Sequence, residues 1–534
     1  MRRNGFIYLL LAVLMLTFSL VASAGAASEK GNTLVMAVAS IPTAMDPNFS
    51  KGDIWNNLLW NIYDLPVTWK LVDGPDGVPV AEVEAAEDGL EGELLEYWER
   101  PDDSTYIMHV RKGVVSNYGN ELTTDDFLWS AERALTLEQS SAAFIYTSGN
   151  IKDINDFKKI DDYTFEIHAS NGPSPLLLRH LTTMHVATMD STEAKKHATP
   201  EDPWAREWLE KNTPTFGPYY IESMTAGESM ILTANPNYWR GQPYFQRIIV
   251  REVPEAANRL TMLISGDVHL VGSSLTPAQF EQIKDGNGEA VMIKTAANIY
   301  AQLDFLTTQK PFNNKLCRQA VAYIIPYEQI VEKVFLGRAK ASHGQICPTY
   351  KDVLPEPWPY KYDPEMAKKL WDESGEDKAF TLSWSTANAE FYDIAILLQT
   401  ELAKIGINVT LQPVNQTQYA EGRSKGLMQA FYVESSMAST DTGNSITGPY
   451  GDSPFNWAKW DDKEERDLAL KYMSMVDSNP ERQALLYESQ RLANENVPGI
   501  MFAWKDWIVG ANKDLKGFAW FPLNYTKLRM LEWK

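Results

Sequence analysis

The first thirty residues contain a long apolar run with basic residues before it and small residues after it. Arg2 and Arg3 precede an apolar run over 6–21, which is followed by the small residues of 22–27. A basic start, a short apolar core and small residues predict a cleaved signal peptide over residues 1–26. The alternative is a membrane anchor, but a membrane-spanning helix needs about 20 apolar residues, and the run over 6–21 is shorter than that. No cysteine stands at the cleavage site, so we expect a periplasmic protein without a lipid anchor.

Further along the chain, short apolar or alternating runs predict β-strands. These runs occupy 33–38, 106–111, 248–253, 290–295, 299–306 and 407–411. They are scattered over the whole chain and are separated by helical patterns, so we expect a mixed α/β protein.

Capping residues mark the starts of several predicted helices. Thr123 and Asp126 have the spacing of a capping box, and Asn314 and Asp363 are N-cap residues of two further helices. An amphipathic helix over 391–405 is followed by a glycine and a predicted strand, which is the order of an α/β unit.

Size and charge narrow the class of protein. A chain of 534 residues is expected to form two or three domains, and its net charge of −21 would repel the phosphates of nucleic acid. The two cysteines, Cys317 and Cys347, could pair in an oxidising compartment or be buried separately.

Recognisable catalytic chemistry is missing from the sequence. The seven histidines are scattered, no metal-binding or nucleophile motif occurs, and the acid pairs at 125–126, 161–162 and 461–462 flank predicted helix starts or strand edges. We therefore predict a binding protein without catalytic residues, bound metal or cofactor, and not an enzyme.

A set of short motifs in a fixed order points to one family. They lie at 90–98, 111–114, 122–134, 216–219, 235–243, 265–268, 311–314, 362–370 and 402–407. Together they resemble the extracellular solute-binding family 5, the peptide-, opine- and nickel-binding components of ABC importers.

The resemblance implies a two-lobed periplasmic binding protein-like α/β fold of class II, cluster C type, with an extra inserted domain. Lobe one would comprise 28–68, 212–297 and 505–534, the inserted domain 69–211, and lobe two 298–504. The chain crossings near 298–300 and 501–504 would then form the hinge between the lobes. A ligand that touches both lobes would favour the closed state.

The resemblance also suggests ligand-binding residues. Glu434 stands where peptide-binding members carry an acid that pairs with the ligand's α-ammonium; the alternative is a solvated strand end. Further candidates are Tyr432, Ala430, Ser436, Asp441, Tyr300, Asp53, Trp384 and Trp457, and for each aromatic ring the alternative is an ordinary core position.

Two departures from the family pattern bear on the ligand. No arginine occurs in 384–390, where dipeptide-binding members hold the ligand's carboxylate, and 435–444 is unusually polar. We expect a monomer that delivers a peptide or peptide-like solute to an ABC permease. An opine, an oligosaccharide or another amine are alternative ligands, and an exported hydrolase or chaperone are alternative functions.

Overall fold

The computed structural model describes residues 31–534 except 50–56, 138–139, 272–274, 343, 345, 348–352, 357, 387, 389, 437–455 and 477–478. Its strands are β1 (Thr33–Val38), β2 (Val67–Trp69), β3 (Leu71–Val72), β4 (Val80–Ala81), β5 (Leu90–Gly92), β6 (Leu95–Asp102), β7 (Thr105–Val110), β8 (Phe157–Asp161), β9 (Thr164–His168), β10 (Tyr219–Thr225), β11 (Ser229–Ala234), β12 (Arg247–Glu252), β13 (Leu270–Val271), β14 (Ala290–Phe305), β15 (Ala339–Ala341), β16 (Ala379–Ser385), β17 (Asn408–Val414), β18 (Ala430–Ser436), β19 (Gly499–Asn512), β20 (Leu515–Lys516) and β21 (Glu532–Trp533).

Helices of two turns or more lie between these strands. They are α1 (Thr124–Thr136), α2 (Ser141–Ser148), α3 (Ala256–Ser265), α4 (Lys315–Ile324), α5 (Pro364–Ser374), α6 (Glu390–Lys404), α7 (Gln416–Ser424), α8 (Lys463–Met473) and α9 (Pro480–Asn496). Shorter helical segments include Leu177–His180, Ser191–Ala194, Arg206–Leu209, Pro277–Glu281 and Tyr327–Gln329, with a π-helical turn over Ile330–Val334.

A mixed sheet runs through the whole body in the order β10-β11-β12-β1-β13-β19-β14-β18-β16-β17, and β15 pairs with β19. We call the part built on β10, β11, β12, β1 and β13 the first lobe, and the part built on β18, β16 and β17 the second lobe. The antiparallel strands β14 and β19 have 16 and 14 residues, so each is long enough to belong to both lobes. The fold is therefore two-lobed α/β, as the sequence predicts.

A bulge interrupts the pairing of the two long strands. Thr295 is opposite Trp507 and Ile299 is opposite Lys505, so three residues of β14 face one residue of β19. The sequence pattern predicts two separate strands here, but the structure has one bulged strand, because the pairing resumes on both sides of the interruption.

A separate antiparallel sheet, β6-β7-β9-β8, packs with α1 beside the first lobe. The predicted capping box begins this helix, with the backbone N–H of Thr123 donating to Asp126 Oδ2 at 2.9 Å. The fully buried guanidinium of Arg133, on the same helix, pairs with the carboxylate of Asp46. This buried ion pair joins α1 to the loop that follows β1.

The second lobe contains the predicted α/β unit. Helix α6 leads through Gly406, which has the left-handed φ of 82°, into β17, which lies parallel to β16. The predicted caps at Asn314 and Asp363 also accept hydrogen bonds from the first turns of α4 and α5. These local predictions are confirmed.

The two cysteines are not joined to each other. Cys317 is buried in the main core of the second lobe, where its thiol contacts Ser374 Oγ at 3.2 Å, and Cys347 is buried in a separate small cluster with Tyr472 and Trp504. The disulfide alternative is therefore wrong, and the thiols are buried separately.

Candidate ligand-binding cleft

A cleft of about 760 Å³, open to solvent, lies where β14 and β19 pass from one lobe to the other. Both lobes and the crossing strands contribute to its wall, which consists of Asn57, Leu275, Pro277, Phe280, Ile299, Phe335, Arg338, Glu390, Glu434, Ser435, Ser436, Lys505, Asp506, Ile508, Leu523 and Asn524.

Three charged side chains in this wall form what we call the cleft triad: Glu390, Glu434 and Lys505. The ammonium of Lys505 donates to Glu434 Oε2 at 2.8 Å and also to Glu390 Oε1. The side chains of these residues are 13%, 29% and 16% exposed, respectively. The triad is thus a partly desolvated ion pair with a second carboxyl group attached.

The sheet explains how residues so far apart in sequence meet. Strand β14 lies between β18 and β19, and its residue Ala301 is paired with Glu434 on one side and with Ala503 on the other. The side chain of Lys505 therefore reaches across β14 to Glu434. Glu390 approaches from the first turn of α6.

Neutral donors fix the orientation of the Glu434 carboxylate. Tyr432 donates its hydroxyl to Glu434 Oε2 at 2.8 Å, and Asn388 donates Nδ2 to the same oxygen at 3.3 Å. The ring of Tyr432 stacks on Phe391 with centroids 3.9 Å apart, so the packing of the core holds the hydroxyl in place. Together with Lys505, this oxygen has three donors.

Burial and the shared lysine move the pKa values of the two acids in opposite directions. Burial raises the pKa of Glu390 to about 7, against the attraction of Lys505 and with the help of the neighbouring Glu434 charge. Burial also acts to raise the pKa of Glu434, but Lys505 and the surrounding donors outweigh it and lower the pKa to about 2. A hydrogen bond joins the two carboxyl groups, so Glu390 is the one that holds a proton.

The other charges of the wall are paired within the chain. Arg338, 5% exposed, forms an ion pair with Glu281 and donates to the carbonyl of Pro277 at 2.7 Å. Asp506 lies 3.7 Å from the ammonium of Lys294. The Arg338 contacts connect the second lobe to the short helix Pro277–Glu281 of the first lobe.

The predicted site residues divide between the cleft and the core. Glu434 and Ser436 line the cleft, whereas Tyr432, Ala430 and Trp384 are at most 3% exposed and lie in the core of the second lobe. Tyr432 still acts on the site through its hydroxyl, but Trp384 packs edge-on against Phe391.

Two further aromatic candidates already have partners. The ring of Tyr300 packs edge-on against Trp504 at 5.9 Å, and Trp457 lies under the guanidinium of Arg423 at 3.8 Å. Burial raises the pKa of Tyr300 to about 12. Asp53 and Asp441 lie outside the described residues.

Sequence reasoning missed Glu390, Lys505, Asp506 and Arg338. One pattern could have indicated them: Lys505 and Asp506 are adjacent charges in the middle of a 14-residue strand that is otherwise almost entirely apolar. Charges in such a strand are costly unless they are paired or serve a site.

Within the described part of the chain, no three His, Cys, Asp or Glu side chains are grouped so that they could bind a metal ion. A search of the same residues finds no helix with the length and apolar character of a membrane span.

Comparisons with known proteins agree with this architecture. The chain is 24% identical to the dipeptide-binding protein of Escherichia coli K12 over 96% of each chain. It is also 24% identical to heme-binding protein A of Haemophilus influenzae, over 94% of this chain and 92% of that protein. The DppA periplasmic binding protein of Helicobacter pylori, solved with the peptide STSA, superimposes with a TM-score of 0.80 at 23% identity, covering 94% of this chain and 98% of that one.

The family assignment rests on a match across most of the chain. The model for bacterial extracellular solute-binding proteins, family 5 Middle, matches residues 89–457. This range contains the β6–β9 sheet, the crossing strand β14 and most of the second lobe, including Glu390 and Glu434. The chain therefore belongs to the bacterial extracellular solute-binding proteins of family 5.

Proposed function

We propose that this protein is the periplasmic substrate-binding component of an ABC importer, and that it captures a peptide or peptide-like solute in the cleft between its lobes. The observation that carries the proposal is the position of the cleft, which lies on the two strands that connect the lobes and takes its wall from both. A solute in this place contacts both lobes at once and stabilises the closed arrangement.

The proposed domain boundaries are those that the family resemblance implies. Lobe one consists of 28–68, 212–297 and 505–534, the inserted domain of 69–211 and lobe two of 298–504. The bulge of β14 between Thr295 and Ile299 lies at the proposed boundary and supports a hinge there. The ion pair between Arg338 and Glu281 would tighten when the lobes close and break when they open.

The peptide ligand is supported by two relatives. The names of the Escherichia coli and Helicobacter pylori proteins specify a dipeptide and the peptide STSA. The same proposal has four further parts. They are export with cleavage of residues 1–26, a monomeric state, delivery to a membrane permease and the lack of catalysis.

Ligand panels test the proposal directly. Peptides of two to five residues, opines, oligosaccharides and simple amines are each titrated against the purified protein while thermal unfolding is followed. A true ligand stabilises the native state saturably, by about 2.7 kcal/mol at 100 times its Kd. We expect a peptide class to do so, and small-angle scattering to show a smaller radius of gyration in its presence.

A pair of variants separates cleft binding from binding elsewhere. Ser436→Trp places a large ring in the cleft and should abolish the stabilisation, whereas Ser424→Trp, at an exposed position of α7, should leave it unchanged. Stabilisation only by sugars or opines would change the ligand class. Turnover of a peptide, or binding of unfolded proteins without compaction, would replace the function by a hydrolase or a chaperone.

A further inference from the structure

The cleft contains an ammonium group of its own. We propose that Lys505 is a specificity-determining residue that occupies, from within the chain, the place of a ligand ammonium beside Glu434. The cleft then takes a peptide-like solute whose end at the cleft triad is an uncharged hydrogen-bond acceptor, such as an N-acylated peptide, and not a free amine. This inference rests on the proposed function and names the ligand class.

One oxygen of the Glu434 carboxylate already accepts several hydrogen bonds from within the chain. Its Oε2 atom already accepts from Lys505 at 2.8 Å, from Tyr432 at 2.8 Å and from Asn388 at 3.3 Å. A carboxylate oxygen with three donors has little capacity for a fourth. An ammonium that approaches this oxygen would have to displace one of them.

Lys505 is not easily displaced from its place beside Glu434. Its backbone is held on both sides, opposite Ile299 of β14 and Ala339 of β15. Its ammonium contacts two carboxyl groups, so moving it aside would leave a charge in the wall without its partners, which is costly in a partly desolvated place.

The charges of the cleft triad balance one another without a ligand. The two carboxyl groups of the cleft triad are hydrogen-bonded to each other, and Glu390, whose pKa is about 7, holds the proton between them in mildly acidic solution. One ionised carboxylate then faces one ammonium, and the triad is neutral without any ligand charge. A ligand ammonium would add an unbalanced positive charge next to Lys505.

The remaining N–H of Lys505 indicates which ligand group the cleft prefers. An ammonium has three N–H donors, and among the described residues Lys505 uses two, on Glu390 and Glu434. An uncharged carbonyl oxygen can accept the third. The other cation of the wall, Arg338, is committed to Glu281 and Pro277.

The experiment compares two probes at pH 6: a randomised tripeptide library with free N-termini and the same library after N-acetylation. Retention by the whole mature protein is measured by native mass spectrometry, and affinities of retained members by calorimetry. Because like charges would be brought together, free amines should bind at least about tenfold more weakly than their acetylated counterparts.

A double variant should reverse this preference. Glu390→Gln with Lys505→Met leaves Glu434 as the only charged member of the triad, so the charge of the triad at pH 6 changes from zero to −1 and free amines should now be favoured. Lys513→Met, which removes a 49% exposed lysine just beyond β19, should leave the preference of the natural protein unchanged.

The natural protein decides the outcome even if the double variant does not fold. Stronger retention of the free-amine library would overturn the inference and leave the proposed function intact. Retention of neither library would overturn the inference, and would also count against a tripeptide as the ligand of the proposed function.

Discussion

Two groups of charged side chains in this protein differ in their ratio of cations to acids. In the first lobe, Asp64, Glu93, Arg240, Lys527 and Arg529 form what we call the buried charge cluster, in which three cations surround two acids. In the cleft triad, two acids share one cation.

The buried charge cluster is closed to solvent at its centre. The Glu93 side chain is 1% exposed and has Lys527, Arg240 and Arg529 at 3.2, 3.5 and 3.9 Å. The backbone N–H of Leu65 donates to its other oxygen at 3.0 Å. Burial acts to raise the pKa of Glu93, but the cations outweigh it, and the pKa is lowered.

The two groups differ in how many partners their acids have and in how far they are exposed to solvent. In the buried charge cluster, both oxygens of Glu93 have partners, and its side chain is only 1% exposed. The cleft triad is partly exposed, lines a cavity and retains an unused donor on Lys505 within the described structure. Charges alone do not distinguish the two, but partner count and exposure do.

The largest expected effect is on stability in the buried charge cluster. Glu93→Gln removes the charge of a buried acid that three cations share, and it should lower the free energy of unfolding by about 3–5 kcal/mol. Urea denaturation followed by tryptophan fluorescence measures this change.

The matched control is Glu222→Gln, which breaks a pair with Arg247 at 3.1 Å whose side chains are 43% and 44% exposed. Its effect should stay within about 1 kcal/mol. Equal losses in both variants would show that burial does not distinguish the two pairs.

The next effect is the pH dependence that Glu390 adds. Its pKa of about 7 in the native state lies above the ordinary value of 4.5, so the native state binds more protons between these pH values. Its contribution to stability is therefore full below pH 4.5 and is lost as the pH rises through 7, at about 1.4 kcal/mol per pKa unit.

The measurement is the free energy of unfolding from pH 4.5 to 8 in the natural protein and in Glu390→Gln. Buried acids outside the cleft triad affect both proteins equally, so the difference curve reports on Glu390 and its coupling to Glu434. A difference that is constant over this range would contradict the shared-proton description of the cleft triad.

The smallest effect concerns the neutral donors of the two groups. Tyr432→Phe removes the 2.8 Å hydrogen bond to Glu434 and should cost about 1 kcal/mol of stability. Tyr238→Phe removes a 3.4 Å contact to Asp64, which keeps a donor in Trp239 at 2.9 Å. Thermal unfolding of both variants should show the larger loss for Tyr432→Phe, and the reverse order would refute the ranking.

Much of the local structure was predictable because it depends on neighbours in sequence. The capping box of Thr123 and Asp126 and the stop at Gly406 each satisfy backbone groups within a few residues. The alternation of polar and apolar residues likewise located β1, β7 and β12. Family motifs then supplied the order of these units, and with it the two-lobed fold.

The candidate site was only half predictable. Glu434 was placed in the cleft by resemblance, but the aromatic candidate Trp384 lies in the core, because the same apolar pattern describes a core ring and a cleft ring. The joining of predicted strands 290–295 and 299–306 into β14 was also not evident, since a bulge leaves no distinctive residue pattern.

The residue pattern and the motifs were enough to predict the α/β units, the family and an acid in the cleft at position 434. The partner of that acid depends on the folded sheet, because Lys505 lies 71 residues from Glu434 and 115 residues from Glu390 along the chain. The sheet brings them together by placing β14 between β18 and β19. An ion pair is a property of distance and burial, and neither can be read from residue types alone.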